Sequence, residues 1–574
     1  MHAETLSDAW AAVPAPARER LAPASTGWRN LALAGADCLR AARAAADGGR
    51  EAEAARLYAL AAGILLWAFG ENPLHGPLAT EILGVADLPL PGPARTALTA
   101  VARGWRMPDA AAGGLGLFER LASGRDVAGL ADFLAKRIAR DPAGLFWREK
   151  ALALALYLGA AEPELRGALE GLALAGLGAP LAAVSGLLRG QAAFLRGDAQ
   201  ACLRELAELP AAFGPALPAA RAGLALLAAG EEAAARPLLA DALTAAPWQA
   251  SLACVLADAL SGARRELVPP PGPILVLLYT WNKAADLDAT LAGLFASDLC
   301  GARVLVLDNG STDATPRVLD AWDERAGGRL ARIALPVNIG APAARNWLAA
   351  TPEARAAASL VYLDDDVDLP ADWLLRLGAA QARFPGAGVA GCTVADHQAP
   401  HLLQNVAGQL VIPPDAPEDR PDLDFRSLAP NPFRLLDAHL QGPDWGLFAH
   451  VSPCASVTGC CHLFRRADLD APAERGGGFS LALGPSQFDD FERDLRLCAS
   501  GGFAAHTGHL KVRHRKRSGI ASLSGDEASA NALGNRYKMQ AMHPRAEIAG
   551  CIRAQNARLA AHVASTLRRL DAAR

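Results

Sequence analysis

Residues 360–370 read LVYLDDDVDLP, an apolar run that ends in three successive aspartates, Asp364, Asp365 and Asp366. Carboxylates this close repel one another, and each raises the pKa of its neighbour. Two explanations are open at this point. The triplet is either a charged turn in water or a site where a divalent cation removes the repulsion.

Three similar apolar runs precede this one, and helical patterns lie between them. ILVLLY covers residues 274–279, RVLVLD covers 303–308 and ARIALP covers 331–336. Strands that alternate with helices indicate an α/β domain with a mostly parallel sheet. Ligands of such sheets bind beyond the carboxyl ends of the strands, so the polar residues after each run are the candidate functional residues.

The four run ends differ in their chemistry. In chain order they present an aromatic ring, a carboxylate, an Arg–Asn pair and the aspartate triplet: Trp281, Asp308, Arg345 with Asn346, and Asp364 to Asp366. Each is a weak signal alone, because NGS is a common turn and a single Trp is more often a core residue. Their succession at one sheet edge predicts a binding site.

These motifs resemble those of the family 2 glycosyltransferases of GT-A fold. TWN, LDNGSTD, NIGAPAARN and LDDDVD stand where that family has its nucleotide-sugar motifs, and the resemblance covers residues 272–520. It implies an inverting glycosyltransferase with a DXD motif that moves a sugar from a nucleoside-diphosphate sugar, expected to be UDP-linked. The resemblance further implies Mn²⁺ or Mg²⁺ as cofactor and a glycan, such as a bacterial surface glycan, or a protein as acceptor.

The resemblance also implies how the nucleotide is held. Trp281 would stack on the base, as aromatic side chains do with bases generally. Asp308 would accept a hydrogen bond from a base N–H, which selects a uracil-like edge. Arg345 and Asn346 would help to hold the nucleotide, and Asp364 would lie near the ribose.

The metal site would use the outer two carboxylates of the triplet. Asp366, with Asp364, would ligate the cation that bridges the diphosphate oxygens. Asp365 is expected to point away, towards solvent or a turn hydrogen bond. In related enzymes a histidine after the base helix completes the site, and His514 fits this role better than the two histidines before it, since a neutral imidazole can join carboxylate ligands.

The general base is expected in the segment GPSQFDDFERDLRLCASGG, residues 484–502. Ser486 with Asp489 three residues later predicts a capping box at the start of an amphipathic helix. That structural role for Asp489 favours Asp490 as the carboxylate that takes the proton of the acceptor hydroxyl. Glu492 remains an alternative, because the acidic spacing departs from the commonest form in the family.

Residues 1–265 have a different texture, rich in Ala, Leu and Arg at helical spacing. Gly197-Asp198 and Gly230-Glu231 each open a similar helix, at a period close to that of tetratricopeptide repeats. An irregular helical bundle is the alternative. ELVPPPGP, residues 266–273, is a Pro-rich linker, after which the sequence predicts a GT-A domain over 274–520 and C-terminal helices over 521–574. The linker predicts that the halves fold separately, and the helical half is expected to bind a protein partner or to position the acceptor.

Bulk composition sets further limits. The 574 residues suggest two or three domains, and a formal net charge of −4 argues against a nucleic-acid partner. Ten cysteines without CxxC spacing and an N-terminus unlike a signal peptide favour a reduced, cytoplasmic protein. The uncharged stretch 171–188 is expected to form buried helices, and no transmembrane segment is expected.

Two other function classes are the alternatives to a glycosyltransferase. A non-catalytic scaffold could keep the GT-A-like fold and bind a protein through the helical repeats. A nicotinamide oxidoreductase is disfavoured, because no G-x-G-x-x-G follows the first strand.

Overall fold

The computed structural model describes residues 5–109, 114–207, 209–413, 432–436, 442–516 and 526–573. Up to residue 265 it describes helices and turns, here called the helical half. The helices are α1 (Leu6–Ala11), α2 (Ala15–Leu21), α3 (Trp28–Asp47), α4 (Glu51–Glu71), α5 (Gly76–Leu83), α6 (Gly92–Gly104), α7 (Gly114–Ser123), α8 (Val127–Arg140), α9 (Phe146–Leu158), α10 (Pro163–Leu174), α11 (Ala182–Leu195), α12 (Ala199–Leu206), α13 (Pro210–Phe213), α14 (Ala216–Ala228), α15 (Glu232–Ala245) and α16 (Ala250–Ser261).

Consecutive helices of this half pack in pairs, for example α3 with α4, α11 with α12 and α14 with α15. The turn inside each of these pairs contains a glycine with left-handed backbone: Gly49, Gly197 and Gly230, with φ of 72°, 77° and 84°. In all three turns the residue after the glycine donates its N–H to a carbonyl five residues earlier. This is a helix C-cap that glycine adopts without strain. The similar sequences therefore mark the same turn, while the tetratricopeptide comparison stays a prediction.

The second half, here called the sheet domain (residues 274–516), alternates strands and helices as predicted. Its elements are β1 (Ile274–Thr280), α17 (Ala284–Ala296), β2 (Arg303–Asp308), α18 (Thr315–Arg325), β3 (Leu330–Ala334), α19 (Ala341–Ala350), α20 (Pro352–Ala356), β4 (Ser359–Leu363), β5 (Val367–Asp368), α21 (Trp373–Arg383), β6 (Val389–Asp396), β7 (Leu403–Asn405), β8 (Leu410–Val411), β9 (Arg434–Leu435), β10 (Val451–Cys454), β11 (Cys461–Arg465), α22 (Arg466–Leu469), α23 (Asp489–Ala499) and β12 (Ala504–His514). Two helices follow, α24 (Asp526–Met542) and α25 (Arg545–Ala573).

The main sheet has the order β10-β12-β6-β11-β4-β1-β2-β3. Strands β4, β1, β2 and β3 are parallel, and β11 runs antiparallel between β4 and β6. Alternate residues of β1 face opposite sides, so Val276 packs with α17, α18 and α21 while Leu277 packs with α19. Strands β1, β2 and β4 are buried on both faces, which explains their continuous apolar runs, whereas β3 at the sheet edge is partly exposed. The predicted α/β class is confirmed.

The two halves share a core. Trp445 and Leu447 of the sheet domain are buried in the same apolar cluster as the helical half, together with one face of α25. The linker is packed as well, because the Val268 N–H donates to the Leu375 carbonyl over 3.1 Å. A Cβ at Gly378 of α21 would come within 2.0 Å of the Val268 carbonyl oxygen. The linker is therefore packed on α21 of the sheet domain and is not a free spacer. The core that the two halves share argues against the expectation that they fold separately.

One helix of the described residues, α4, is long and apolar enough to cross a membrane by length and composition, and 56% of its apolar window is buried inside the protein. The uncharged stretch 171–188 does not form a single helix. It contains the end of α10, a short 3₁₀ turn over Ala179–Leu181 and the first half of α11. This agrees with the expectation of two helices and a turn.

Candidate functional site

The carboxyl ends of β1, β2 and β4 meet at one edge of the sheet. Thr280 pairs with Asp308 across β1 and β2, and Leu278 pairs with Leu363 across β1 and β4. The aspartate triplet begins directly after Leu363. The register therefore brings the predicted nucleotide-sugar motifs together, because the strands are parallel and end at similar levels.

Trp281 and Asp308 occupy different environments at this edge. The Trp281 ring follows β1 and is 49% exposed, so its face is open to a stacking partner. Asp308 is buried, and its Oδ1 accepts a hydrogen bond from the Ser311 N–H over 2.9 Å. That bond holds the NGS turn and orients the carboxylate, which is compatible with the predicted contact to a base.

The loop after β1 is organised by Asn282, a residue that lies inside the TWN motif but was given no role from the sequence. Its Oδ1 accepts from the Thr312 N–H at 2.7 Å and the Asp313 N–H at 3.3 Å. Its own N–H donates to Ser311 Oγ over 3.0 Å. The first and second motifs are thus tied to each other, which positions Trp281 beside Asp308.

Lys283 supplies a positive charge to the aspartate triplet. Its Nζ lies 2.6 Å from Asp366 Oδ2 and 3.1 Å from Asp365 Oδ1. Asp365 is buried, so the expectation that it would contact solvent or cap a turn is wrong: a lysine from the loop before α17 holds it. The sequence does not indicate this contact, because Lys283 precedes the carboxylates by more than 80 positions.

The predicted metal residues do converge. One ligand atom from each of Asp364, Asp366 and His514 lies within 4.8 Å of the others. His514 reaches the triplet because the end of β12 pairs with β5, where His514 stands opposite Val367. Two carboxylates and one imidazole make an O,O,N ligand set suited to Mn²⁺ or Mg²⁺.

The detailed geometry fits a cation. Asp366 Oδ1 lies 2.9 Å from His514 Nε2, yet this buried oxygen has no hydrogen bond of normal geometry among the described residues. Ligands about 2.0–2.1 Å from an octahedral Mg²⁺ are themselves about 2.9 Å apart. His514 Nδ1 lies 3.0 Å from Gln404 Oε1, which fixes the ring and leaves Nε2 to face the carboxylates.

The three neighbouring carboxyls of the triplet have pKa values that are shifted in different directions. Burial raises the pKa of Asp364 more than Arg345 lowers it. Burial also raises the pKa of Asp365, to about 6, against the effect of Lys283. For Asp366 burial acts in the same direction, but His514 and Lys283 outweigh it and lower the pKa. Asp366 is therefore the carboxylate of the triplet best suited to remain ionised.

Arg345 is buried and links the triplet to α23. Its Nη1 lies 2.5 Å from Asp489 Oδ2, and its Nη2 lies 3.5 Å from Asp364 Oδ1 and 3.4 Å from the Gly459 carbonyl. It is only 4% exposed. Its guanidinium pairs with two carboxylates and orders them, and the contact of Arg345 with a nucleotide stays a prediction.

Helix α23 begins differently from the predicted capping box. The residue before it is Phe488, in left-handed conformation with φ of 67°, and no side chain caps the helix. Ser486 therefore does not form a capping box with Asp489, which is turned towards Arg345 instead. The predicted capping role of Asp489 is therefore wrong, and its structural partner is Arg345.

Asp490 lies at the same junction, half-buried, beside the loop before β11. Its Oδ2 accepts from the Gly459 N–H over 2.6 Å, and its Oδ1 accepts from the Phe491 N–H over 2.8 Å. A Cβ at Gly459 would come 2.7 Å from Arg345 Nη2 and 3.0 Å from Asp490 Oδ2. Gly459 therefore allows the arginine and the candidate base to approach the same backbone.

Glu492 is less suited to act as the base. It is fully buried and lies 2.8 Å from Arg496 Nε and 3.6 Å from His543 Nε2. Burial would raise the pKa of Glu492, but His543 and Arg496 lower it. Its carboxylate is thus held inside the protein, where it connects α23 to the junction of α24 and α25.

Asn346 also has a structural partner. Its Nδ2 donates to the Phe479 carbonyl over 2.8 Å, and its Oδ1 accepts from the Phe479 N–H over 2.9 Å. Both ends of the amide are engaged by one backbone residue. Asn346 therefore anchors the segment before α23, and its contact with a nucleotide stays a prediction.

A second feature lies between the halves. A cavity of about 310 Å³ is lined by the helical half and by residues 401, 443 and 445 of the sheet domain. The segment 397–405, which follows β6 and includes β7, connects the two regions. His401 Nε2 lies 2.9 Å from the Leu156 carbonyl, while Gln404 of the same segment contacts His514. Residues 414–431 and 437–441 of the loops that follow lie outside the described residues.

Comparison with known proteins gives one match at the level of sequence. Residues 275–409 match the family model described as Glycosyl transferase family 2. This range includes β1 to β7 and therefore Trp281, Asp308 and the triplet, but not Asp490 or His514. A search of curated proteins found no match.

Solved structures show distant similarity. GalNAc-T7 with UDP, GalNAc and Mn²⁺ aligns at 14% identity over 47% of this chain and 48% of that chain, with a TM-score of 0.34. The mannosyltransferase PcManGT from Pyrobaculum calidifontis, in complex with GDP-Man and Mn²⁺, aligns at 21% identity over 49% and 68%, with a TM-score of 0.29. S. aureus TarS aligns at 15% identity over 42% and 36%, with a TM-score of 0.28. The chain thus spans about half the length of the first of these.

Proposed function

Because residues 275–409 form a family 2 glycosyltransferase domain, we propose that this protein is a metal-dependent, inverting glycosyltransferase that uses a nucleoside-diphosphate sugar. One observation carries the proposal. The cluster of Asp364, Asp366 and His514 lies at the carboxyl ends of the strands, and Arg345 joins it to the helix that carries Asp490. A bound Mn²⁺ or Mg²⁺ would supply charge stabilisation for the departing nucleotide diphosphate.

The protein groups have separable roles in this proposal. Asp490 takes the proton of the acceptor hydroxyl while that oxygen attacks the sugar carbon from the side opposite the leaving group, which inverts the configuration. The hydrogen bonds from the Gly459 and Phe491 N–H groups hold its carboxylate in place. Trp281 offers its exposed ring to the base, and Asp308 would accept from a uracil-like N–H. The donor proposed is therefore a UDP-sugar.

The helical half is proposed to deliver the acceptor, a glycan or a protein. Its support is physical continuity between that half and the metal cluster. The segment 397–405 contacts the Leu156 carbonyl through His401 and contacts His514 through Gln404. The cavity between the halves opens beside the same segment. An acceptor or protein partner bound there would lie against the segment that positions the metal histidine.

One observation favours a second candidate, a non-catalytic scaffold whose helical half binds a protein. Lys283 already neutralises part of the triplet, with Nζ 2.6 Å from Asp366, so the carboxylates do not depend on a cation for compensation.

The proposed cytoplasmic location rests on the ten cysteines, which are all unpaired and of which nine are buried.

The metal assignment predicts the behaviour of Asp366→Ala. Without Asp366 the diphosphate loses the group that holds its counter-charge, so affinity for UDP in Mn²⁺ should fall at least about tenfold. Titration calorimetry of UDP against both proteins, with Mn²⁺ and with EDTA, is the measurement. The Asp320→Ala variant, which removes an exposed carboxylate outside the site, is the control. Equal UDP affinity of the parent with Mn²⁺ and with EDTA would contradict the metal assignment.

The base assignment predicts different results for two carboxylates. Asp490→Asn keeps the size and loses the basicity, so transfer should fall by about 10²–10⁴ while donor affinity stays near that of the parent. Glu492→Gln should lower stability and keep most of the turnover, because its carboxylate faces Arg496 and His543. Sugar transfer and donor binding are measured for both variants. Full activity of Asp490→Asn with loss in Glu492→Gln would reverse the assignment.

A further inference from the structure

Three metal-ligating side chains meet far from the nucleotide-sugar motifs. Cys254 comes from α16 of the helical half, His450 from the residue before β10 and His562 from α25. One ligand atom from each lies within 4.8 Å of the others. The positions are widely separated in sequence, so no spacing pattern could reveal them. They are brought together by the interface at which the two halves and α25 share a core.

The distances suit a tetrahedral metal. Cys254 Sγ lies 3.7 Å from His562 Nε2. With a Zn–S bond of about 2.3 Å and a Zn–N bond of about 2.0–2.1 Å, tetrahedral angles place the two ligand atoms about 3.6 Å apart. Cys254 Sγ and His562 Nε2 therefore need almost no movement to coordinate one ion. The alternative to a metal site is a direct contact between the thiol and the imidazole.

His450 supplies the second independent observation. It is 8% exposed, and its buried Nδ1 has no hydrogen-bond partner of normal geometry among the described residues. Buried polar atoms usually have a partner, so this one calls for an explanation. A neutral imidazole has one ring nitrogen with a lone pair, which it can offer to a metal ion.

The surroundings provide a compensating charge. Asp258 follows Cys254 by one helical turn, and its Oδ2 lies 3.0 Å from His509 Nε2 and accepts from the Val451 N–H over 2.9 Å. Its Oδ1 lies 2.7 Å from Arg383 Nη2. A carboxylate in this position stabilises a nearby cation and orients the backbone next to His450.

We infer that Cys254, His450 and His562 bind a divalent cation of the zinc type, which fastens the helical half and α25 to the sheet domain. On binding, the Cys254 thiol gives up its proton to solvent and the sulfur forms the metal bond, while each histidine donates one ring lone pair. The described residues supply three ligands, and a water would take the fourth position. This site is distinct from the cluster at Asp366 and does not depend on the proposed transferase activity.

Cobalt provides a direct test on the full-length, reduced protein. Co²⁺ bound by a thiolate gives a sulfur-to-metal charge-transfer absorption that Co²⁺ bound only by oxygen and nitrogen does not give. The parent protein should show this absorption and reach its maximum at about one Co²⁺ per chain, and one equivalent of Zn²⁺ should abolish it. The absence of the absorption in the parent would overturn the inference without any variant.

Variants assign the signal to this site. Cys254→Ser should lose the absorption, and Cys202→Ser, which alters another buried thiol of the helical half, should keep it. Asp366→Ala should also keep it, because that residue belongs to the other cluster. If Cys254→Ser does not fold, Co²⁺ binding is measured with His562→Gln instead. This variant should bind Co²⁺ about 10–100-fold more weakly than the parent. A Cys254→Ser or His562→Gln protein that binds Co²⁺ as the parent does would overturn the inference.

Discussion

At the scale of single residues, Lys283 adds a positive charge to the candidate metal site, where it contacts Asp365 and Asp366. Its side chain is 35% exposed, while Asp366 beside it is 2% exposed. Without Lys283, Asp365 would lose its cationic partner and Asp366 would keep only its contact with His514. Burial opposes its charge, yet Asp365 and Asp366 together raise the pKa of Lys283, so the ammonium is retained. The lysine and the cation therefore compete for the same negative charge.

This competition predicts opposite effects of Lys283→Met without and with metal. In EDTA the variant should be less stable by about 1–2 kcal/mol, a value reduced for the exposure of the lysine. With Mn²⁺ it should gain more stability than the parent, because binding the cation restores the lost compensation. Thermal unfolding of both proteins in EDTA and in Mn²⁺ measures this. Lys136→Met, which removes an exposed i,i+4 partner of Asp132, is the control and should behave as the parent. A Mn²⁺ shift no larger than that of the parent would contradict the competition.

The same residues show what could be predicted from the sequence at this scale. The triplet and His514 were found because the family motif names the residue types and the strand ends place them. Lys283 and the link from Arg345 to Asp489 were not found, because each joins segments that are distant in the chain. Local patterns report the strand that a residue follows, whereas ion pairs depend on which loops are folded towards each other.

Among the elements, α23 depends on the junction between α24 and α25. His543 lies in that junction, with Nδ1 2.7 Å from Glu547 Oε1 and Nε2 3.6 Å from Glu492 Oε1. Burial disfavours the charged ring, but the two carboxylates outweigh it and raise the pKa of His543. The protonated histidine thus connects the helix that carries Asp490 to the C-terminal helices.

A raised histidine pKa in the folded state gives stability that is complete below the unfolded pKa of about 6.5 and is lost as pH rises through the folded pKa. His543→Gln should therefore cost about 1 kcal/mol near pH 6, and the difference from the parent should shrink near pH 9. Urea unfolding at the two pH values measures it. In a Glu547→Gln background the pH dependence of the effect should be smaller, since the nearer carboxylate is gone. A cost that is equal at both pH values would show that His543 acts by packing alone.

The elements themselves were largely predictable, for a physical reason. Strands buried on both faces give unmistakable apolar runs, and the glycine turns of the helical half repeat because each needs a left-handed residue. The start of α23 was not predictable in the same way. Phe488 in left-handed conformation precedes the helix, and no side chain caps it. The next residue, Asp489, pairs with Arg345, which is distant in the chain.

For the whole molecule, the contact between the halves was the least predictable feature. The Pro-rich linker and the change in composition indicate a boundary, but neither reports what packs across it. Arg221 of the helical half lies 4.1 Å from the ring centroid of Trp445. The backbone N–H groups of Leu6 and Ser7 donate to the Asp571 carboxylate at the end of α25. The start of the helical half therefore contacts the end of α25. The helical half packs against both the sheet domain and α25.

This arrangement predicts that a protein beginning at Pro270 does not reach the native fold alone. It would expose Trp445, Leu447 and one apolar face of α25, which are buried against the helical half in the full chain. Exposed apolar surface of this kind leads to aggregation. The truncated protein is expected to be insoluble, or soluble without a cooperative unfolding transition. Circular dichroism and urea unfolding of any soluble fraction measure this.

Co-expression separates a missing interface from a damaged chain. Residues 1–265 and 266–574, produced together as two chains, should associate and co-purify, because the buried interface between the halves does not require a continuous backbone. A Trp445→Ala change in the second chain should weaken that association, since it removes both the buried ring and its contact with Arg221. Glu324→Ala, a substitution at an exposed residue of α18 in the sheet domain, should leave the association unchanged. If the protein beginning at Pro270 is instead soluble, monomeric and cooperative in unfolding, the sheet domain folds without its partner, and the shared core serves assembly more than folding.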